Sequence, residues 1–257
     1  MAARLPRVSK KGYSLAGAGA QVLLFHGYTG SPYDLKPLAL FLNQRGLAVS
    51  VPLLSGHGTN KQDLARVKSA DWLKLAQEEL TKLDTHRPIF LGGLSMGACL
   101  AIITAQSSQA IKALLLLAPA LSLKLSAELL ISSARLGIIS AQLSIPKLNG
   151  ASDIADPIAR LKCPSYPEMP ISGLLEFDTV RMLAREKIPA VRIPVFTAFG
   201  SRDNVINLSE SYNYIKHSLL GPLVTKFYER SQHVISLDFD RDLLCEDLWN
   251  FINTYGS

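Results

Sequence analysis

Ser95, Asp203 and His233 offer a hydroxyl, a carboxylate and an imidazole in that chain order, the set that nucleophilic acyl transfer requires. Ser95 is the middle residue of Gly93-Leu94-Ser95-Met96-Gly97, a G-x-S-x-G pattern. An apolar run, Ile89-Phe90-Leu91, precedes it, and residues 98–105 read as a buried helix behind it. A serine on a sharp strand-to-helix turn adopts strained backbone angles, and glycines two residues to either side leave room for it. Such a turn lifts the hydroxyl over the amide-rich start of a helix, where negative charge is favoured. Taken alone, the same letters also describe a glycine-lined turn whose serine caps a helix. A base, an acid and an oxyanion site elsewhere in the chain decide between the two.

Asp203 lies in Gly200-Ser201-Arg202-Asp203, just past the apolar run at residues 195–199. His233 lies in Ser231-Gln232-His233-Val234, just past the run at residues 223–228. Each has a plain alternative, a turn aspartate or a surface-loop histidine. Together with Ser95 they form the order Ser, Asp, His, each one beyond a strand end, with acid and base on neighbouring strands. The histidine would take the serine proton and return it to the leaving group, and the aspartate would fix the histidine tautomer. Two backbone amides should meet the oxyanion: Met96 N–H, directly after the nucleophile, and Tyr28 N–H, in the loop His26-Gly27-Tyr28-Thr29-Gly30. His26 reads as a brace for that loop and His57 as a turn residue that could line the site. Asp238 and Asp240 read as the start of the last helix, Asp178 as part of an insertion, and His86 and His217 as solvent-facing.

The elements that must position these groups alternate. Strands are expected at residues 21–26, 47–51, 88–91, 113–117, 195–199 and 223–228. Helices are expected after Ser31-Pro32, after Ser69, after Ser95, at 208–219 and at 241–255. Short continuous apolar strands between helices imply an α/β protein with a mostly parallel sheet covered on both faces, and chemistry at the carboxyl ends of its strands. Residues 121–189 break the rhythm. They read as an amphipathic helix at 121–139, a proline-rich loop and a short helix at 173–186, with no evident strand. This is an insertion over the sheet edge, a lid, within a single domain spanning 1–257. Its Leu121, Leu123, Leu125, Leu129, Leu130 and Ile131 are expected to offer an apolar acyl pocket or to pack on the sheet edge.

The HGYTG, SGHG, GLSMG, GSRD and SQHV segments, in this order, resemble the compact bacterial carboxylesterases related to monoacylglycerol lipases, within the α/β-hydrolase superfamily. The resemblance runs from about residue 21 to the C-terminus and is poor only in the insertion. It implies a cofactor-independent serine hydrolase that acts on carboxylic esters through an acyl-enzyme, and the apolar insertion residues point to uncharged esters of short to medium acyl chains, monoacylglycerols among them. It also carries the triad roles onto Ser95, Asp203 and His233 and the oxyanion amides onto Tyr28 and Met96. Larger members open with an extra antiparallel hairpin. Residues 1–20 look too short and glycine-rich to supply it in full, though a strand near 12–15 is possible. Thioesterase or amidase chemistry uses the same groups, and a non-catalytic ligand-binding relative is the reading from another class.

The bulk composition is consistent with this. A chain of 257 residues with 48% apolar and 19% charged residues is compact and ordered. The net charge of +6 is dispersed, without the basic block or aromatic-interleaved patch of a nucleic-acid binder. Cys99, Cys163 and Cys245 show no metal-ligand spacing and leave one thiol unpaired, which fits a reducing, cytoplasmic setting. No stretch is long and apolar enough for stable membrane insertion. The basic tail with Arg4, Arg7, Lys10 and Lys11 lacks the apolar core of a secretory leader and faintly resembles an organellar transit peptide. A small ester is the expected partner.

Overall fold

The computed structural model describes residues 11–147 and 152–256. The tail residues Arg4, Arg7 and Lys10 lie outside them. A seven-stranded sheet forms the centre, in the order β1-β3-β2-β4-β5-β8-β9. The six parallel strands are β2 (Gln21–Phe25), β3 (Ala48–Val51), β4 (Ile89–Leu94), β5 (Ile111–Leu117), β8 (Val195–Gly200) and β9 (Leu223–Tyr228). Strand β1 (Tyr13–Leu15) pairs antiparallel with β3 at the edge, so among the described residues the amino-terminal segment supplies one strand, where the sequence left a strand near 12–15 open.

Every residue of β2, β4 and β8 is buried, as expected of strands covered on both faces. Helices α1 (Lys36–Gln44), α3 (Ser69–Thr81), α4 (Met96–Thr104), α8 (Leu208–Ser218) and α9 (Arg241–Tyr255) provide the cover. Ser31 accepts the Tyr33 N–H and Asp34 accepts the Ser31 N–H, a reciprocal cap that opens the chain into α1 through a short 3₁₀ turn. A six-residue helix, α2 (Lys61–Arg66), was not evident from the sequence; only its Leu64 is buried. Ser69 is the first residue of α3 and not its cap, which falls on Lys68.

The segment between β5 and β8 carries α5 (Leu125–Arg135), β6 (Ser144–Pro146), α6 (Pro157–Lys162), β7 (Glu168–Pro170) and α7 (Ile171–Lys187). Three corrections follow. Strands β6 and β7 form a small antiparallel sheet where none was expected. The first helix covers less than residues 121–139, and α7 is long, running against α2, α3 and α4. Of the six expected pocket residues only Leu123 reaches the central cavity: Leu121 and Ile131 are buried in packing, Leu130 packs partly buried against the core, and Leu125 and Leu129 are 72% and 58% exposed. No helix among the described residues is long and apolar enough to cross a membrane.

Candidate active site

Strand β4 ends in a turn that puts Ser95 at φ 58°, ψ −114°, a left-handed region that side chains other than glycine rarely enter. The strain is held by neighbours. Ser95 N–H donates to Leu117 O at 2.8 Å, and Ser95 O accepts from Ala98 N–H at 3.1 Å. The flanking glycines are there for space: a methyl group on Gly97 would lie 1.9 Å from Phe25 O, and one on Gly93 would lie 2.5 Å from the same atom. Both are needed because the turn passes directly against the end of β2.

The loop after β2 reaches the same point. A methyl group on Gly27 would meet Ser95 Cβ at 3.4 Å and Oγ at 3.9 Å. Tyr28 N–H donates to no described residue, and Met96 N–H, the first of α4, has no carbonyl one turn earlier to bond. Two buried histidines brace this loop. His26 Nε2 accepts Leu54 N–H at 3.1 Å, leaving Nδ1–H to donate to Gly27 O at 3.0 Å. His57 Nε2 accepts Thr29 N–H at 3.2 Å, and Nδ1–H donates to Ser55 O at 3.1 Å. That bond holds Thr29 at φ 64°. Burial lowers the His26 pKa to about 4 and that of His57 well below the ordinary value, so both remain neutral braces. His57 therefore supports the loop from behind instead of lining the site. The Tyr28 hydroxyl donates to Pro170 O at 2.8 Å and its ring stacks on Phe177, tying the loop to the insertion.

His233 Nδ1–H donates to Asp203 Oδ2 at 2.7 Å, leaving Nε2 as the accepting nitrogen. Asp203 is fixed in turn, because Oδ1 accepts the N–H groups of Val205 (2.7 Å) and Ile206 (3.0 Å). Burial opposes a charged His233 ring, but the adjoining Asp203 and, further back, Asp153 raise its pKa above the ordinary histidine value. Ser95 and His233 line one cavity of about 400 Å³ together with Gly27 and Tyr28. Ser95 Oγ makes no hydrogen bond with a described residue; contacts of this kind are often long until substrate closes them.

Asp153, in the insertion, had no sequence signal. Its Oδ2 accepts His233 N–H at 3.2 Å and Asn204 N–H at 2.9 Å, and its Oδ1 accepts from Asn204 Nδ2 at 2.9 Å. It thereby stitches the two loops that carry His233 and Asp203. We expect Asp153→Ala to cost about 1 kcal/mol of stability, since it strips the part-buried His233 N–H of its acceptor while the exposed Asn204 N–H turns to water. Asp153→Asn should move the acid limb of kcat/KM to lower pH, because a negative charge facing His233 is lost. Denaturant unfolding and a pH–rate profile check the pair. An unchanged acid limb would assign Asp153 a purely structural role.

The other candidates are structural. Asp178 pairs with Arg181 and Arg135, Asp238 accepts the N–H groups of Ala155, Asp156 and Gln232, and Asp240 accepts from Arg230 N–H and Ser231 Oγ. His86 and His217 are exposed. No group of three or more His, Cys, Asp or Glu among the described residues could hold a metal.

A mostly parallel sheet with a strained serine turn after its central strand, and an acid and a histidine after its last two, defines an α/β-hydrolase. The chain belongs to the family described as serine aminopeptidase, S33, whose profile matches residues 17–240. It is 27% identical to a carboxylesterase of Bacillus subtilis (strain 168) over 95% of this chain and 97% of that one. Identity to a thermostable monoacylglycerol lipase of Bacillus sp. (strain H-257) is 25%, over 88% and 87% of the two chains. A structure from the work on LipS and LipT, two metagenome-derived lipolytic enzymes, superposes with a TM-score of 0.84 at 25% identity, covering 97% of this chain and 99% of that one. A soluble variant of monoglyceride lipase from Saccharomyces cerevisiae, in complex with a substrate analog, gives a TM-score of 0.79 at 16% identity, over 96% and 92% of the chains, and so shares the fold. The chain is thus a distant homologue of esterase and lipase-type hydrolases.

Proposed function

We propose that this protein is a serine carboxylesterase that hydrolyses carboxylic esters of short to medium acyl chains through an acyl-enzyme. The observation that carries the reading is the Asp203–His233 pair at 2.7 Å, with His233 lining the same cavity as Ser95 on its strained turn. Ser95 Oγ attacks the ester carbonyl while His233 Nε2 accepts its proton. The oxyanion is met by Tyr28 N–H and Met96 N–H. Collapse expels the alcohol, which takes its proton from His233, and a water activated by the same nitrogen then releases the acid. The insertion acts as a lid within the single domain.

Acyl-chain length is argued from the cavity wall. Leu174, Phe177, Met169 and Ala127 join Leu123 in an apolar side, within a volume of about 400 Å³ that suits short and medium chains. The α-ammonium of a peptide substrate would need a carboxylate with free oxygens. Both acids in the wall besides the triad, Asp34 and Asp153, already accept protein donors, which favours esters over amino-terminal peptides. A series of p-nitrophenyl esters tests this. We expect kcat/KM to peak at short or medium acyl chains; inactivity across the series, or a steady rise to the longest chains, would contradict it.

Because His233 must be neutral to act as the base, kcat/KM should fall toward acid pH. Its raised pKa places the midpoint above the ~6.5 of an ordinary histidine. A pH–rate profile with its midpoint below that value would oppose the assigned base.

A further inference from the structure

The cavity over Ser95 is lined by two unlike sets of residues. Besides the apolar set it holds a polar side made of Asp34, Lys147, Ser152, Arg160 and Ser165, in which Lys147 contacts Ser165 and the Cys163 thiol touches both Asp34 and Ser152, and the reaction outlined above uses none of them. The charges on this side do not cancel. Asp34 is fully buried and committed, with Oδ2 accepting Ser31 N–H at 3.2 Å and Oδ1 lying 3.5 Å from the Cys163 thiol; burial raises its pKa to about 6. Asp153 gives its oxygens to Asn204 and His233. The cations are less occupied. The ammonium of Lys147 donates to Ser165 Oγ, and the guanidinium of the half-buried Arg160 makes no hydrogen bond or ion pair with any described residue. Burial lowers the Lys147 pKa to about 8 against the pull of Asp34, which leaves most of it charged at neutral pH. Lys124 adds an exposed third cation to the lining. A cavity walled by low-dielectric side chains focuses such a field on whatever enters.

Position assigns this side to the alcohol portion of the ester. Lys147 lies near enough to His233 to oppose protonation of its ring. In the proposed reaction, His233 hands its proton to the departing alcohol oxygen. The acyl chain is accounted for by the apolar lining residues Leu174 and Phe177.

The geometry points to a substrate whose alcohol portion bears an anionic group, a carboxylate or a phosphate, held by Lys147 and Arg160 while the acyl chain lies on the apolar wall. This inference rests on Ser95 being the nucleophile, and it replaces the uncharged ester expected from the insertion leucines. The balance of the reaction is unchanged: the ester and one water give the free acid and an alcohol that keeps its anion.

Four aryl butyrates test it, each rate divided by that ester's uncatalysed hydroxide rate to remove differences in leaving-group acidity: 3-carboxyphenyl, 3-phosphonooxyphenyl, the neutral 3-carbamoylphenyl and the cationic 3-trimethylammoniophenyl ester. With the wild-type protein, at least one anionic ester should exceed the neutral one in kcat/KM by about ten-fold, a charge-assisted contact's worth, with the cationic ester slowest. The faster of the two anionic esters identifies the group. The anionic-to-neutral ratio, which cancels any general loss of activity, should fall toward one in Lys147→Met and in Arg160→Met. A wild-type ratio of one or less overturns the inference without any variant, and so does a ratio that survives both substitutions. If the neutral ester is hydrolysed while the ratio is one, the serine-esterase reading stands and only this inference fails; if no ester is hydrolysed, both fail.

Discussion

Replacing Ser95 with alanine is expected to lower kcat for a butyrate ester by about 10⁵–10⁶-fold, the loss seen when a triad nucleophile is removed. The thiols of Cys163 and Cys99 do not take over. The Cys163 thiol, beside Asp34, is pushed up in pKa by burial, and Cys99 is buried with its pKa raised to about 12, so neither supplies a thiolate. The substitution removes only an oxygen that makes no hydrogen bond with a described residue, and it keeps the Cβ that already tolerates φ 58°. Stability should therefore change little, and thermal unfolding of the variant separates lost chemistry from lost fold. A variant that keeps a tenth of wild-type kcat would mean that another group attacks the ester.

The second large effect belongs to Asp203→Asn, expected to reduce kcat by about 10⁴-fold with the fold intact. The reason is tautomeric. Asp203 Oδ1 accepts two backbone N–H groups, from Val205 and Ile206, so the amide oxygen of an asparagine must stay on that side. Its NH₂ then faces His233 Nδ1, which has to become the acceptor. The ring proton moves to Nε2, where the serine proton needs to arrive. The variant also loses the charge that raises the His233 pKa, so any residual activity should extend to lower pH than in the wild type. Steady-state kinetics on the purified variant, with a pH profile of what remains, checks both halves. A loss of under ten-fold would show that Asp203 does not set the tautomer.

The parts of this protein legible in its sequence are those in which a local pattern and a global role coincide. Ser95, Asp203 and His233 each follow an apolar strand, so their placement at one sheet edge is a consequence of strand order and needs no knowledge of side-chain packing. The glycines around Ser95 carried the same information, since a methyl group at either position collides with the backbone of β2. The insertion was less readable. Strands β6 and β7 are three residues each and contain Pro146 and Pro170, so they lack the alternation that marks a strand. Helical spacing in the insertion showed that one face is buried but not against what, which is why its six apolar residues were left between a cavity and the sheet edge; only Leu123 lines the cavity. Asp153 had no signal because its contacts come from loops 51 and 80 residues away. Lys147 and Arg160 belong to the dispersed net charge, and nothing in their spacing ties them to one cavity.

Treatment with a fluorophosphonate, followed by intact-mass and peptide mapping, tests the central assignment most directly, since only a serine activated by a neighbouring base attacks the phosphorus. The expected result is one covalent adduct per chain, carried on the peptide that holds Ser95 and absent from Ser95→Ala. A folded wild-type protein that acquires no adduct, or one modified at another residue, would contradict the account.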